Sequence, residues 1–143
     1  MPRSTVVAAL IAALALPAAA DAKTFHGKTN QRLGVTFRTG ADGVPTTGKL
    51  HWNIPCKRHG YRHRGFTTWE PPFTQVTATT LLDGPKSYHT KFNDGSRARV
   101  TGTLKAHLSG SSWKGTLAIR EVIKRKGKVI NVCQMKRIAF KVS

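Results

Sequence analysis

From Arg97 to Leu108 the chain alternates without a miss. Ala98, Val100, Gly102, Leu104, Ala106 and Leu108 are interleaved with Arg97, Arg99, Thr101, Thr103, Lys105 and His107. A period of two places the first set on one face of an extended strand and the second on the other, a pattern that no helix gathers onto one stripe. One face is apolar and the other basic, as in a strand half buried in an antiparallel sheet. A second stretch, Gly48 to Cys56, behaves the same way: Leu50, Trp52, Ile54 and Cys56 share one face, and Lys49, His51 and Asn53 share the other.

Nothing after residue 22 keeps helical spacing over three turns, whereas short alternating runs recur between Gly-, Asp- and Pro-containing breaks. The pattern predicts strands at Thr24 to Lys28, Val35 to Thr39, Phe66 to Trp69 and Ser87 to Phe92. Residues 57–65 carry neither alternation nor apolar content and read as a solvated loop. Gly40 to Pro45 and Asp83-Gly84-Pro85 read as turns, and Asn93-Asp94-Gly95 as a hairpin. After the turn at Ser109 to Ser111, Trp113, Gly115, Leu117 and Ile119 point inward until Glu121, where a bulge or register change is expected. Lys124 to Lys128 form another hairpin tip. In the last stretch, Val129 to Phe140, Cys133 and Phe140 are in opposite phase, which predicts an irregularity between Gln134 and Arg137. The fold class expected is all-β: a single-domain antiparallel sandwich or partly closed barrel of about seven or eight strands over residues 23–143.

The first twenty-two residues read as a secretory signal peptide. Arg3 precedes an apolar run from Val6 to Leu16, Pro17 breaks it, and small residues lead to a cut after Ala22, with Ala20 as the alternative. The apolar run is too short to span a bilayer, so the cleaved chain is expected outside the cytoplasm, secreted or in the cell envelope, with no membrane span. In that oxidising setting the two cysteines, Cys56 and Cys133, are expected to pair. The chain-entropy model values closure of so long a loop at about 4 to 5 kcal/mol. A Cys₂His₂ zinc site from Cys56, His59, His63 and Cys133 is the competing use of those thiols. Its spacing fits no standard framework, and Lys57, Arg58, Arg62 and Arg64 would crowd a dication, so no metal or cofactor is expected.

The order of parts adds a resemblance. Trp52 to Cys56 as W-x-x-x-C, a polar loop, a long Arg/Val alternating strand, Trp113 to Thr116 as W-x-G-T, and a late cysteine together resemble a loose group of small secreted single-disulfide β-proteins of actinobacterial type. The likeness covers most of residues 24–140. It implies a compartment and a fold, and no activity.

Catalytic groups are scarce. Beyond Asp21 the acids are Asp42, Glu70, Asp83, Asp94 and Glu121, and the three aspartates each precede a glycine in a predicted turn, where the side chain bonds its own backbone. No nucleophile elbow, zinc-protease motif or phosphate loop occurs, and the chain is not expected to be an enzyme. Charge is the stronger clue: 24 Lys and Arg face 6 acids, a net of +18. Cleavage of the leader removes one of each and leaves that net unchanged. Solubility does not require so one-sided a balance, and its self-repulsion has a cost.

If the last strand runs antiparallel to the Gly48–Cys56 strand, two basic clusters rise from one end. They are Lys57, Arg58, Arg62 and Arg64 with Tyr61 between them, and Lys124, Arg125, Lys126 and Lys128. This arrangement suits a flexible polyanion such as an envelope polymer, without a specific nucleic-acid site. Two other classes of function remain open. One is a small-ligand site in an interior or cleft lined by some of Trp52, Trp69, Trp113 and Phe73; the other is a structural or protein-interaction domain that uses exposed strand edges.

Overall fold

In the computed structural model, which describes residues 21–143, the alternating stretch is a 13-residue strand, Arg97–Ser109, and Ala98, Val100 and Leu104 on it are buried. The strands in chain order are β1 Lys23–Thr29, β2 Gly34–Thr39, β3 Pro45–Pro55, β4 Arg62–Trp69, β5 Gln75–Val76, β6 Thr80–Lys91, β7 Arg97–Ser109, β8 Ser112–Arg125 and β9 Lys128–Val142. Among the described residues there is no helix, hence none long and apolar enough to cross a membrane. The leader expected over residues 1–22 lies, but for Asp21 and Ala22, outside the described residues.

The fold is all-β. All nine strands form one antiparallel sheet in the order β4-β3-β2-β1-β9-β8-β7-β6-β5, where seven or eight strands were expected. Every pairing except β1 with β9 joins strands consecutive in sequence, so two meanders meet at that one junction. The sheet is not closed, and β4 and β5 are its edges. It is nevertheless rolled on itself. Phe37 on β2 lies 4.9 Å from Trp113 on β8, centroid to centroid, and Trp69 on β4 stacks at 6.5 Å on Phe140 of β9. Strands that far apart in the order touch only if the two halves of the apolar face are turned toward each other.

Glycines inside the strands make this roll fillable. Trp52 lies opposite Gly65, Trp69 opposite Gly48, and Phe140 opposite Gly115. A Cβ added at Gly65 would sit 2.6 Å from the Trp52 ring. Each glycine therefore acts as a seat for an aromatic ring from the next strand, not as a strand breaker. Trp52 and Trp113 are buried in the core, and Trp113 also borders a shallow hollow beside Phe25 and Leu108.

Cys56 and Cys133 form a disulfide across 77 positions. β9 runs beside β8 and β1, so it meets β3 only past the tip of the β1–β2 hairpin, at a single antiparallel bridge between the two cysteines. There the Lys57 N–H donates to the Val132 carbonyl at 2.8 Å. Gln31, in the hairpin tip, plugs the remaining space: its Nε2 donates to the Asn53 carbonyl at 2.7 Å and its Oε1 accepts from the Asn53 N–H at 3.0 Å.

Three local expectations are corrected. Asp83-Gly84-Pro85 is no turn; β6 runs through it with a register shift between Asp83 and Lys86, and the positive φ of Gly84 absorbs the irregularity. Glu121 does not interrupt β8; it keeps the inward phase of Leu117 and Ile119, and the shifts lie at Leu117/Ile119 and Ile123/Lys124. Residues 62–65 belong to β4 and not to a loop, because the inward positions are His63 and Gly65, which leave no apolar signal. The irregularity expected between Gln134 and Arg137 is present: Leu117 pairs with Ile138 and Ile119 with Met135, so β9 carries one extra residue there.

The aromatic seats give a direct test. Gly65→Ala should destabilise the fold by about 1 to 3 kcal/mol through overpacking against Trp52. Gly34→Ala, where an added Cβ meets nothing within 4 Å, should leave thermal unfolding unchanged or slightly later. Equal melting of the two variants would refute the role given to Gly65.

Candidate polyanion-binding surface

Side chains that alternate inward on β6, β7 and β8 leave their neighbours on the outer face, and toward the β6–β7 and β8–β9 tips several of those neighbours are cations. Directly opposed positions form a row across three strands: Lys91 on β6, Arg97 on β7 and Lys124 on β8. The next row places His89 beside Arg99. Opposed side chains in a ladder stand about 4.5 to 5.5 Å apart at Cβ, and like charges so placed destabilise the sheet. Of these residues, His89, Arg97, Arg99 and Lys124, with Arg120 and Lys126, line an open hollow of about 850 Å³ on the outer face, and Lys91 stands beside it. At the other end of the same face a second row, His107, Lys114, Lys141 and Lys28, runs across β7, β8, β9 and β1.

None of the described carboxylates lines the hollow over β7. Asp42 accepts the Val44 N–H in its turn. Asp94 accepts the N–H and hydroxyl of Ser96, which hold its carboxyl below the usual range, and it also pairs with Arg125. Asp83 is buried, 2.7 Å from the Lys86 ammonium. Glu121 is fully buried on β8, and its Oε2 is 2.6 Å from His63 Nδ1 on β4. Its other oxygen has no partner among the described residues. Two acids are thus turned inward, and the outer face keeps its charge uncompensated.

The two predicted clusters meet, in part. A turn in which the Tyr61 N–H donates to Arg58 and the Cys56 N–H donates to Tyr61 folds the loop back beside β9. The Arg58 N–H also donates to the Asn131 side chain at 3.2 Å. Arg58 and Tyr61 share a hollow of about 480 Å³ with Arg125, whose guanidinium is held by Asp94. Arg62 is turned back onto Asn53, donating to its side-chain and main-chain oxygens. Lys57 and Arg64 are exposed and line neither hollow, and Lys128 stands opposite Arg125. Lys124 and Lys126 face the larger hollow over β7. The disulfide takes both thiols that a Cys₂His₂ site would have used.

No family model, curated protein or solved structure matches this chain. The surface has to be read from its own geometry. Sequence reading missed Arg97, Arg99 and Arg120 as site residues although their alternation was plain, because the number of cations per strand is visible and their alignment between strands is not. It also missed His63 with Glu121, which lie 58 positions apart and carry no motif.

The pair His63 and Glu121 ties β4 to β8 through the core, with the His63 side chain 23 % exposed and Glu121 1 %. His63→Ala, which strands a buried carboxylate, should cost about 3 to 5 kcal/mol in urea unfolding. The double variant His63→Leu with Glu121→Leu should be near neutral by comparison. Additive losses in the double variant would show that the two side chains do not act as a unit.

Proposed function

We propose that this is an exported, disulfide-stapled β-protein that binds anionic envelope polymers or other polyanions, and that it works by binding without catalysis. In this reading the rolled sheet behaves as a partly closed barrel whose outer wall, over β6, β7 and β8, is the binding surface. The observation that carries the proposal is the aligned row Lys91, Arg97 and Lys124, with Arg99 and Arg120 beside it and no carboxylate lining the hollow. A face that only needs solvation is served by mixed charge, whereas aligned like charges raise the energy of the free protein until an anion neutralises them.

The second hollow, with Arg58, Tyr61 and Arg125, lies at the same end of the sheet and lengthens the contact available to a chain-like ligand. Tyr61 is 48 % exposed and offers a ring for stacking. Among the described residues no Phe, Tyr or Trp lines the hollow over β7, which favours recognition of charge spacing over recognition of bases. The apolar run that ends in small residues before Ala22 supports the compartment assumed here.

Binding to heparin or to single-stranded DNA should weaken roughly a thousandfold between 50 and 200 mM salt if about six contacts form. Replacing Arg97, Arg99, Arg120 and Lys124 together by Gln should abolish binding measured by fluorescence anisotropy, and the same set should unfold later at low salt because the opposed cations are gone. Charge removal at Arg58, Arg125 and Lys128 should weaken binding less. Unchanged affinity in the four-residue variant would sink the assignment of this face.

A further inference from the structure

The edge strand β5 covers only Leu81 and Leu82 of β6, so the rest of β6 is left open on that side and faces β4 across a gap built from different chemistry than the rest of the surface. Between β4 and β6 lies a cleft of about 590 Å³ with Gly102, Leu104 and Leu117 among its lining. Inward positions of the two strands supply its polar groups. Asp83 is 6 % exposed and pairs with Lys86, so a buried negative charge and its neutralising cation stand together inside a strongly basic protein. Lys86 Nζ also donates to the Pro72 carbonyl at 2.7 Å, and Tyr88 donates its hydroxyl to the Phe66 carbonyl at 3.1 Å. Burial raises the Tyr88 pKa, so the phenol stays a donor. Trp69, 3 % exposed, also borders the cleft, and its indole N–H has no hydrogen-bond partner among the described residues.

We propose that this seam cleft between β4 and β6 binds a neutral, hydroxyl-rich ring of the size of one or two sugar units. The volume falls within the range of small-molecule sites, and the lining joins apolar surface from Trp69, Tyr88, Pro71 and Pro72 to a few convergent polar groups. A sugar hydroxyl both donates and accepts, so it can donate to Asp83 and accept from Lys86 alongside their 2.7 Å contact. An anion meets the Asp83 carboxylate and, at the exposed rim, Glu70, while a cation meets Lys86, so a charged ligand of either sign is opposed within the cleft. An extended peptide would need the whole gap as a tenth strand, but the Tyr88 and Lys86 side chains already cross it at two points. The cleft shares β6 with the basic face, since Ser87 and His89 look outward where Lys86 and Tyr88 look inward. The proposal does not require that face to bind a polyanion.

The test uses the full folded chain, with maltotriose and the trimer of N-acetylglucosamine as neutral probes followed by ¹H–¹⁵N NMR. At least one probe should shift the Trp69 indole resonance with a Kd at or below about 1 mM, and raising the salt should not weaken it. Asp83→Asn should weaken binding at least about tenfold, a change of 1.4 kcal/mol. Tyr88→Phe, at a position 37 % exposed, provides a second variant should Asp83→Asn unfold, and it should also weaken binding. The four-residue variant of the basic face should bind the probes as the parent does, and Tyr88→Phe should bind heparin as the parent does, so each reading fails on its own. The proposal is overturned if neither probe shifts the indole at about 10 mM, if both cleft variants bind unchanged, or if an extended acidic peptide displaces the sugars with Trp69 and Tyr88 as its contacts.

Discussion

The β1–β2 hairpin is shorter than the strands on either side of it, and that mismatch shapes the molecule. β1 and β2 have 7 and 6 residues, while β3 and β9 have 11 and 15. Where the hairpin ends, β3 and β9 are left without neighbours between them and close up. Gln31 supplies in one amide side chain the donor and acceptor that a missing strand would have given Asn53, and the disulfide fixes the contact one step further on. The sheet is therefore narrower at this end. The loop after Cys56 lies against β9 there and opens toward the β6–β7 and β8–β9 hairpin tips, whose Asp94 and Arg125 share a hollow with Arg58 and Tyr61.

Charge is sorted by the same roll. β4 carries His63 inward to Glu121 on β8, and β6 carries Asp83 inward beside Lys86, so two of the few acids serve the interior and the seam. Burying Glu121 without a partner would be costly, which makes β4 and β8 dependent on each other across the core. Apart from Lys86, most cations of β6, β7 and β8 occupy the outward half of the alternation, and antiparallel pairing lines them up. The result is a molecule with a mixed-charge cleft at its seam, lined by Glu70, Asp83 and Lys86, and an uncompensated basic wall around it.

Much of the strand content was legible because period-two patterning reports burial of one face, and β7 and the first half of β8 show it cleanly. The failures share a cause. Residues 62–65 and 80–86 put His63, Gly65 and Asp83 at inward positions, so their pattern lacked the apolar residues that mark a buried face. Each has its own partner: His63 has Glu121 on distant β8, Gly65 the Trp52 ring on neighbouring β3, and Asp83 has Lys86, three positions on across a bulge in the same strand. For the candidate surface, sequence named Lys124 and Lys126 and the pairing of Arg58 with Arg125 at one end. It did not name Arg97, Arg99 and Arg120, because alignment across strands is a matter of register.

By itself the sequence determined the all-β class, the sidedness of the long strands, the pairing of its two cysteines, and the excess of positive charge. All four follow from local periodicity, residue count or composition, which need no knowledge of what lies opposite. Tertiary structure alone decided that one sheet rolls up with its seam open, that Glu121 and Asp83 turn inward, and that cations from three strands form rows. Those outcomes depend on strand order and register, which local periodicity does not report.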